Sequence, residues 1–223
     1  MKNIIVIGAS GHAKVILDIV EKQGKYSVAG LLDRERAVGT EFFGYPVLGK
    51  EEDLPGLVKE KSIEAGIIAI GDNWTRSLAV QKILSLAPDF KFVSAVHPSA
   101  QIARGVKLGK GTVVMANAAI NSDSKIGDFC IVNTSASLDH DCLMEDYSSL
   151  APNVATGGNV TIGKFSAICI GASLSHGISI GEHCVVGAVG FVQDDVPAYS
   201  VFHGVPAEFS RKREKGEKYL KTP

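Results

Sequence analysis

The sequence has no excess of charge of either sign and no long apolar run. Its 223 residues carry 23 Lys and Arg against 24 Asp and Glu, a formal net charge of −1. A balanced surface creates no field that attracts nucleic acid or anionic lipid, so we expect neither partner. No apolar run approaches the roughly 18 residues that cross a bilayer, and the run 4–7 is too short for the core of a signal peptide. We therefore expect a cytoplasmic protein.

Cysteine is scarce, and its spacing argues against the common cysteine sites. The four cysteines lie in the C-terminal half, and none belongs to a C-x-x-C pair of the kind found in zinc sites and redox dithiols. We interpret them as small core residues: Cys130, Cys142, Cys169 and Cys184. At most one thiol, Cys169, is expected to react quickly in the native protein.

The first 93 residues alternate short apolar runs with amphipathic stretches. The pattern predicts strands over 2–7, 28–32, 65–70 and 91–96, and helices over 12–23 and 76–86. Strands that alternate with helices favour a small Rossmann-like parallel α/β sheet, which we assign to a first domain over 1–93. The segment 39–57, which contains glycine and proline, has no clear assignment.

After this domain the sequence takes a six-residue period. Every sixth residue from Val96 to Val192 is aliphatic, with Thr156 the one exception, and a small residue stands two places before most of these positions. Three such units make one triangular coil of about 18 residues, and stacked coils bury the aliphatic row. The period predicts an all-β parallel β-helix over 94–202, followed by a closing turn and tail over 203–223.

Glycine recurs at the second place of the repeat unit, directly after the aliphatic residue. Examples are Gly109, Gly127, Gly163 and Gly181. Because glycine adopts positive φ without steric cost, we predict that these glycines form tight corners in the left-handed backbone region. Neighbouring coils are expected about 4.8 Å apart, the ordinary spacing of strands in a sheet.

Three short motifs accompany the repeat and narrow its family. They are G-A-S-G-H at 8–12, N-T at 133–134 leading to D-H-D-C at 139–142, and G-V-P-A at 204–207. In this order the chain resembles, over about residues 3–212, the sialic acid O-acetyltransferase and UDP-4-amino-sugar N-acetyltransferase family of hexapeptide-repeat acyltransferases. The resemblance implies an acceptor-binding domain followed by a left-handed β-helix, and a homotrimer that binds acetyl-CoA between neighbouring β-helices.

The resemblance also implies roles for individual residues. His140 would be the catalytic base, Asp141 would orient it, and Gly158 would donate its N–H to the oxyanion. The position where relatives often carry a second histidine is Ser149 here. The nucleotide sugar would bind in the first domain, at residues that match the family's pattern: Ser10, Gly11, His12, Asp33, Gly71, Asn73 and Arg76.

His176 and Arg211 are candidates for the CoA site, and each has a structural alternative. His176 stands two coils after His140 and would contact CoA or be an exposed loop residue. Arg211 begins a basic tail that would contact the 3′-phosphate of CoA or be a solvated chain end. Both interpretations stay open for both residues.

The residue types themselves are consistent with acetyl transfer. Transfer from a thioester requires a base for the acceptor's proton and a donor for the oxyanion. His140 titrates near neutrality and has acids on both sides, and one coil further Gly158 leaves a backbone N–H accessible. The loop 8–11 lies between a strand and a helix, where free N–H groups bind phosphate, but it lacks the full G-x-G-x-x-G of a NAD site.

Three functions are compared on these residues. The leading hypothesis is a bacterial enzyme that transfers acetyl from acetyl-CoA to an amino or hydroxyl group of a nucleotide-activated sugar, for surface polysaccharide or glycan synthesis. A non-catalytic nucleotide-sugar binding protein is the second, and the acid-flanked His140 argues against it. A hexapeptide-repeat zinc enzyme is the third: His140 and His176 are in register, but the third ligand would fall on Gly181, so we expect no metal.

Overall fold

The computed structural model describes residues 1–220 of the chain. Its N-terminal half contains these elements: β1 Lys2–Ile7, α1 Gly11–Gln23, β2 Tyr26–Leu32, β3 Glu41–Phe42, β4 Tyr45–Gly49, α2 Leu54–Glu60, β5 Ala65–Ile68 and α3 Asn73–Leu86. A 3₁₀ turn over Glu51–Asp53 precedes α2. Within residues 1–220, no helix is both long enough and apolar enough to span a membrane.

The strands of this half form one sheet in the order β3-β4-β2-β1-β5. β1 pairs in parallel with β2 and β5, β2 pairs in parallel with β4, and β3 runs antiparallel to β4. The central strand β1 contains the buried run Ile4 to Ile7 because α1 packs on one face of the sheet and α2 and α3 pack on the other. The predicted parallel α/β sheet is therefore present.

The segment 39–57, which the sequence left unassigned, forms a hairpin, the 3₁₀ turn and the start of α2. Phe43 and Gly44 connect β3 to β4 with φ of 51° and 82°. Positive φ at both turn residues matches the twist of a two-residue hairpin. The segment therefore adds the outer edge of the sheet beside β2.

The predicted strand over 91–96 is wrong for most of its length. The structure has a two-residue strand, β6, over Ala95–Val96, and Phe92 makes an isolated parallel bridge to β5. The chain leaves the sheet here and enters the C-terminal half, so continuous pairing with β5 ends after one bridge. The apolar character of the run reflects burial between the two halves.

From Ala95 onward the chain forms a triangular prism of two-residue strands. The strands β6 to β22 are, in order, Ala95–Val96, Gln101–Ile102, Lys107–Leu108, Val113–Val114, Ala119–Ile120, Lys125–Ile126, Ile131–Val132, Ser137–Leu138, Leu143–Met144, Ser149–Leu150, Ala155–Thr156, Thr161–Ile162, Ala167–Ile168, Ser173–Leu174, Ser179–Ile180, Val185–Val186 and Phe191–Val192. They are followed by β23 over Ser200–His203 and by β24 over Glu208–Lys212, which pairs antiparallel with β23.

The prism strands pair into three sheets, one on each face. The first face runs from β6 through β9, β12, β15, β18 and β21 to β23 and β24; the second runs from β7 to β22 and the third from β8 to β20, each in steps of three strands. Strands of neighbouring coils pair in parallel, as Ile120 does with Leu138, so the coil repeats every 18 residues. The predicted stack of parallel coils is confirmed.

The interior of the prism contains the aliphatic row predicted from the period. Ile120, Ile162 and Val186 are at most 1% exposed. Each fully buried aliphatic side chain contributes about 1.5–3 kcal/mol relative to an exposed one, so the row supplies much of the stability. Three of the cysteines, which occupy the small position two places before an aliphatic residue, are also buried: Cys130, Cys142 and Cys184.

The glycines at the second place of the unit have a different role from the one predicted. Positive φ occurs two places later, at the fourth residue, for example at Asp123, Phe129 and Asp141. A second-place glycine instead allows neighbouring coils to approach closely: a Cβ at Gly163 would lie 2.6 Å from Glu182 N of the next coil. The prediction of left-handed corners at these glycines is wrong, and close backbone contact explains them.

Aromatic rings stack along the edge between the third and first faces. We call this column the aromatic corner; its members are Phe129, Tyr147, Phe165, His183 and Tyr199. Successive ring centroids lie 5.2, 5.3, 4.6 and 5.0 Å apart. Trp74 of α3 packs edge-on against Phe165 at 5.3 Å, so the α/β half lies against this corner.

Candidate active site

A cavity of about 560 Å³ opens where β1, β2 and β5 end. Ligands of parallel sheets bind at this carboxyl edge, and the volume is typical of a small-molecule site. The cavity brings together four of the residues assigned to the nucleotide sugar: Ser10, His12, Asp33 and Gly71. Gly11, a fifth, is the exposed first residue of α1 beside the cavity.

Backbone geometry shapes the loop after β1. Gly8 has φ of +106°, and a Cβ there would lie 2.9 Å from Ala69 O, so glycine allows this loop to approach β5. Asp33 joins the loops after β1 and β2: its Oδ2 accepts from Ala9 N at 2.8 Å, and its Oδ1 accepts from two backbone N–H groups at 3.0 and 3.1 Å. Its carboxylate therefore positions the cavity wall as well as lining it.

His12 has a strongly shifted pKa in the cavity. Burial, and to a lesser extent the charge of Arg76, lower the pKa of His12 to about 4, so the imidazole is neutral at neutral pH. Its Nε2 and Oδ2 of Asp72 are buried without a hydrogen-bond partner within residues 1–220. Unpartnered buried polar atoms are uncommon in folded proteins, so two of them beside one cavity favour a functional site.

Asn73 and Arg76, which the family resemblance places among the nucleotide-sugar ligands, lie in the interface between the two halves. Both are 1% exposed. Asn73 Nδ2 donates to Phe165 O at 3.2 Å, and Arg76 donates to Phe129 O at 2.8 Å and to Tyr147 O at 3.0 Å. Their donors dock α3 on the aromatic corner, so these residues support the cavity from behind.

A second cluster lies at the edge between the second and third faces. We call it the histidine corner; it carries His140, Gly158 and His176 in three successive coils. His140 is half exposed, and its Nδ1 lies 2.8 Å from Asp141 Oδ2. A carboxylate at Nδ1 favours the proton on that nitrogen and leaves Nε2 as the free base.

Two acidic residues set the charge of this imidazole. The hydrogen bond to Asp141, and then the charges of Asp139 and Asp141, raise the pKa of His140 above its usual value. Asp139 Oδ1 accepts from Asn121 Nδ2 at 2.7 Å and from His140 N at 2.8 Å. These hydrogen bonds lower the pKa of Asp139, which therefore stays ionised beside the histidine.

Gly158 lies directly below the imidazole of His140. A Cβ on this glycine would lie 2.6 Å from His140 Nε2. The Gly158 N–H makes no hydrogen bond to any group of the described chain. The corner therefore places an imidazole nitrogen and a free backbone donor in adjacent coils, as a base and an oxyanion donor require.

Thr156 explains the break in the aliphatic row. Its Oγ1 accepts from Asp139 N at 3.0 Å. At the equivalent place one coil earlier, Asn121 N donates to the carbonyl of Leu138 at 2.9 Å, an ordinary ladder bond. The threonine hydroxyl replaces this bond beneath the turn that carries His140.

Comparisons with known proteins agree with both halves. The family model of the PglD N-terminal domain matches residues 3–83. A variant of GDP-perosamine N-acetyltransferase from Caulobacter crescentus, solved in complex with CoA and GDP-perosamine, is 36% identical with a TM-score of 0.89, over 95% of this chain and 98% of that one.

The chain belongs to the family of hexapeptide-repeat sugar acetyltransferases that includes GDP-perosamine N-acetyltransferase. The acetyltransferase domain of PglB from Neisseria gonorrhoeae, solved with acetyl coenzyme A, is 32% identical with a TM-score of 0.85, over 94% of this chain and 99% of that one. UDP-N-acetylbacillosamine N-acetyltransferase from Bacillus subtilis (strain 168) is 33% identical over 119 residues, 52% of each chain. The chain spans about half or less of the length of the first curated relatives that it matches.

In this member of the family, the two residues assigned to CoA lie far apart in the fold. His176 is exposed at the histidine corner, with its ring centroid 6.3 Å from that of His140. Arg211 lies on β24 of the first face and pairs with Glu217 at 2.6 Å. The structure therefore places His176, and not Arg211, beside His140.

The histidines do not form a zinc site in the described chain. His183 belongs to the aromatic corner and is 3% exposed, so it lies on a different edge from His140 and His176. Within residues 1–220, no group of three or more His, Cys, Asp or Glu side chains is arranged to hold a metal ion.

The sequence prediction did not include two residues that support the histidine corner, Thr156 and Asn121. Thr156 carried a signal, because it interrupts an otherwise aliphatic row at the coil after His140. Asn121 could have been found by stepping one coil back from Asp139.

Proposed function

We propose that this protein transfers an acetyl group from acetyl-CoA to an amino or hydroxyl group of a nucleotide-activated sugar. The observation that supports it best is the histidine corner, where Asp141 lies against His140 Nδ1 and Gly158, whose N–H makes no hydrogen bond in the described chain, lies under the imidazole. Relatives that match almost the whole chain were solved with CoA and GDP-perosamine or with acetyl coenzyme A. Acetyl-CoA is a co-substrate in this scheme.

His140 acts as the general base. Its Nε2 accepts a proton from the acceptor amine or hydroxyl as that group attacks the thioester carbonyl, and Asp141 stabilises the resulting imidazolium. The Gly158 N–H donates to the oxyanion of the tetrahedral intermediate. When the intermediate collapses, the C–S bond breaks and the CoA thiolate takes the proton from His140, which returns the base to its starting state.

The cavity of the α/β half binds the nucleotide part of the acceptor. The loop after β1 and the start of α1 present backbone N–H groups at a helix N-terminus, where phosphate binds favourably. His12 is neutral there and serves as a hydrogen-bonding group rather than as a charge. This division gives residues 1–93 to acceptor binding and residues 94–202 to acetyl-CoA binding and catalysis. Residues 203–223 form the closing turn and tail, of which 221–223 lie outside the described residues.

The active unit is a trimer of left-handed β-helices. The α/β half lies on the aromatic corner, whereas His140 lies on the histidine corner, a different edge of the same prism. Large apolar side chains remain exposed on the prism, among them Leu143 at 37%, Ile170 at 57% and Val189 at 67%. A neighbouring subunit that covers Leu143, three residues after His140, would also supply the opposite wall of the acetyl-CoA cleft.

The test is thiol release from acetyl-CoA in the presence of a panel of UDP-, GDP-, dTDP- and CMP-linked amino sugars. At least one should release CoA, and mass spectrometry should find one added acetyl group on the sugar. His140→Ala should lower turnover by roughly 10² to 10⁴, the usual effect of removing a general base, while acetyl-CoA binding persists. Gln101→Ala, on the exposed start of the second face, is the matched control.

Two results would contradict the proposal. Nucleotide-sugar binding without CoA release from any member of the panel would indicate a non-catalytic binding protein. Wild-type turnover in His140→Ala would remove this histidine from the mechanism. For the assembly, sedimentation at assay concentration should find a trimer, and a fully active monomer would refute the shared cleft.

A further inference from the structure

The C-terminal segment 213–220 runs back from the prism to the α/β half, and we call it the strap. It starts at Arg213, which is 7% exposed. Arg213 N donates to Tyr199 O at 2.7 Å, and Nη1 donates to His183 O at 2.9 Å. The beginning of the strap is therefore attached to the aromatic corner through buried hydrogen bonds.

The middle of the strap packs against Trp74 in the first turn of α3. Lys215 Nζ lies 5.6 Å from the centroid of the Trp74 ring. Gly216 has φ of +81°, and a Cβ there would lie 2.8 Å from Trp74 Nε1, so only glycine lets the backbone pass this close to the indole. Trp74 is the single tryptophan of the sequence and reports on this contact.

Tyr219 attaches the strap to both halves of the molecule. Its hydroxyl lies 3.2 Å from Ser149 Oγ of the prism, 3.2 Å from Gly71 O and 3.4 Å from Asn73 Oδ1 of the α/β half. Burial raises the pKa of Tyr219, so the phenol stays protonated and donates at neutral pH. Ser149 thus contacts the strap at the position where relatives often carry a second histidine.

On either side of Tyr219, the strap reaches the cavity. Leu220 Cδ1 would lie 3.4 Å from a Cβ at Gly71, and both Lys218 and Leu220 line the cavity. Of the other cationic side chains of the lining, Arg34 pairs with Glu51 at 2.8 Å, whereas Arg36 donates through Nε to the carbonyl of Ala9 at 3.1 Å and has no acidic partner in the described part of the chain. Lys218 forms no ion pair within residues 1–220.

We propose that the strap completes the nucleotide site and that Lys218 binds the diphosphate of the nucleotide sugar. The inference rests on the proposed function, in which this cavity takes the acceptor. The diphosphate is the most anionic part of such a ligand, and the cavity lining carries four acidic residues: Asp33, Glu35, Glu51 and Asp72. The N–H groups at the start of α1, the Arg36 guanidinium and the mobile ammonium group of Lys218 offset the charge of the diphosphate. Tyr219 is a positioning residue that holds Lys218 over the cavity.

The same geometry separates this assignment from a contact with CoA. Lys218 lies at the cavity beside α3, on the side of the aromatic corner, and the acetyl-transfer residues lie on the histidine corner. A lysine that served the 3′-phosphate of CoA would change CoA affinity when removed. A lysine that serves the nucleotide diphosphate would leave CoA affinity unchanged.

The test is calorimetric titration of the full-length protein with the diphosphates GDP, UDP and dTDP, the monophosphates GMP, UMP, dTMP and CMP, and CoA. Lys218→Ala should weaken binding of whichever diphosphate the wild type binds by about 10-fold or more, the usual effect of losing a hydrogen bond to a charged group, and should weaken the monophosphate less. Lys218→Arg should restore most of the affinity. Lys212→Ala, an exposed lysine on β24, is the matched control and should bind like the wild type.

Tyr219→Phe tests the positioning role. It should raise KM for the nucleotide sugar without changing kcat, and the fluorescence of Trp74 should show whether the strap stays docked. Equal diphosphate affinity in Lys218→Ala and wild type would overturn the strap proposal alone, and so would a loss of CoA affinity in place of diphosphate affinity. A wild type that binds none of the nucleotides would overturn the proposed function together with this inference.

Discussion

The substitution Gly158→Ala isolates the contact between the catalytic histidine and the glycine below it. The added methyl carbon would lie 2.6 Å from Cε1 and Nε2 of His140 and 3.1 Å from Cδ2. Carbon atoms pack at about 3.5–4.0 Å, so the imidazole must retreat by roughly 1 Å. A displacement of that size at a reacting group costs about 10²-fold in rate, and we expect kcat/KM to fall by at least that factor.

The fold should tolerate this change. Gly158 is not among the residues with positive φ, so alanine adopts its backbone conformation without strain. The half-exposed imidazole has room to rotate into solvent. We therefore expect the free energy of unfolding to change by less than about 1 kcal/mol, as for other compatible replacements of glycine by alanine.

The assay is initial-rate thiol release, with thermal denaturation of the same preparations. In a His140→Ala background, Gly158→Ala should cause little further loss, because no ring remains to be displaced; such non-additivity is the signature of a direct contact. Wild-type kcat/KM in the single variant would refute the steric reasoning. A large loss of stability would show that the methyl group is absorbed by the coil rather than by the imidazole.

Three further predictions concern pH, docking and thiols. The hydrogen bond to Asp141 raises the pKa of His140, which must be neutral to act as a base. The acid limb of the pH profile of kcat/KM should therefore lie above pH 6.5, the usual histidine value, and Asp141→Asn should move it to lower pH. An unmoved limb would contradict the role of Asp141. Arg76→Met should lower the free energy of unfolding in urea by about 1–3 kcal/mol for each buried carbonyl left without its donor. A loss below about 1 kcal/mol in total would remove Arg76 from the docking contact. Titration with a thiol reagent should find at most one fast group, Cys169, whereas three fast groups would contradict the inward orientation of the others.

The period of the prism was predictable because it is a local property. Each coil buries its aliphatic residue against the next coil, so the pattern repeats in the sequence. The corner geometry was not predictable in the same way. Residues such as Phe129 and Tyr147 adopt positive φ although they are bulky, because the turn requires this conformation at the fourth place of the unit, as at Ser135 and Val189 outside the aromatic corner.

The candidate site likewise contains residues that the coil repeat predicts and residues that it does not. His140, Asp141 and Gly158 are close in space because they follow the coil repeat, and their proximity could be predicted by counting. Arg76 shows the limit of assignment by motif. Its sequence position suited the sugar, but its donors bind carbonyls of coils more than 50 residues away, which no local pattern predicts.

The docking of α3 on the aromatic corner constrains how the length of this protein can change in evolution. Arg76 and Asn73 bond to carbonyls of Phe129, Tyr147 and Phe165 in three consecutive coils, so a coil inserted among them would break the docking contact. Whole coils can be added only beyond this section, near the C-terminal end of the prism. The strap must still return to Ser149, so each added coil lengthens its path by about 4.8 Å, one to two extended residues. Homologues with longer prisms should therefore carry correspondingly longer C-terminal tails.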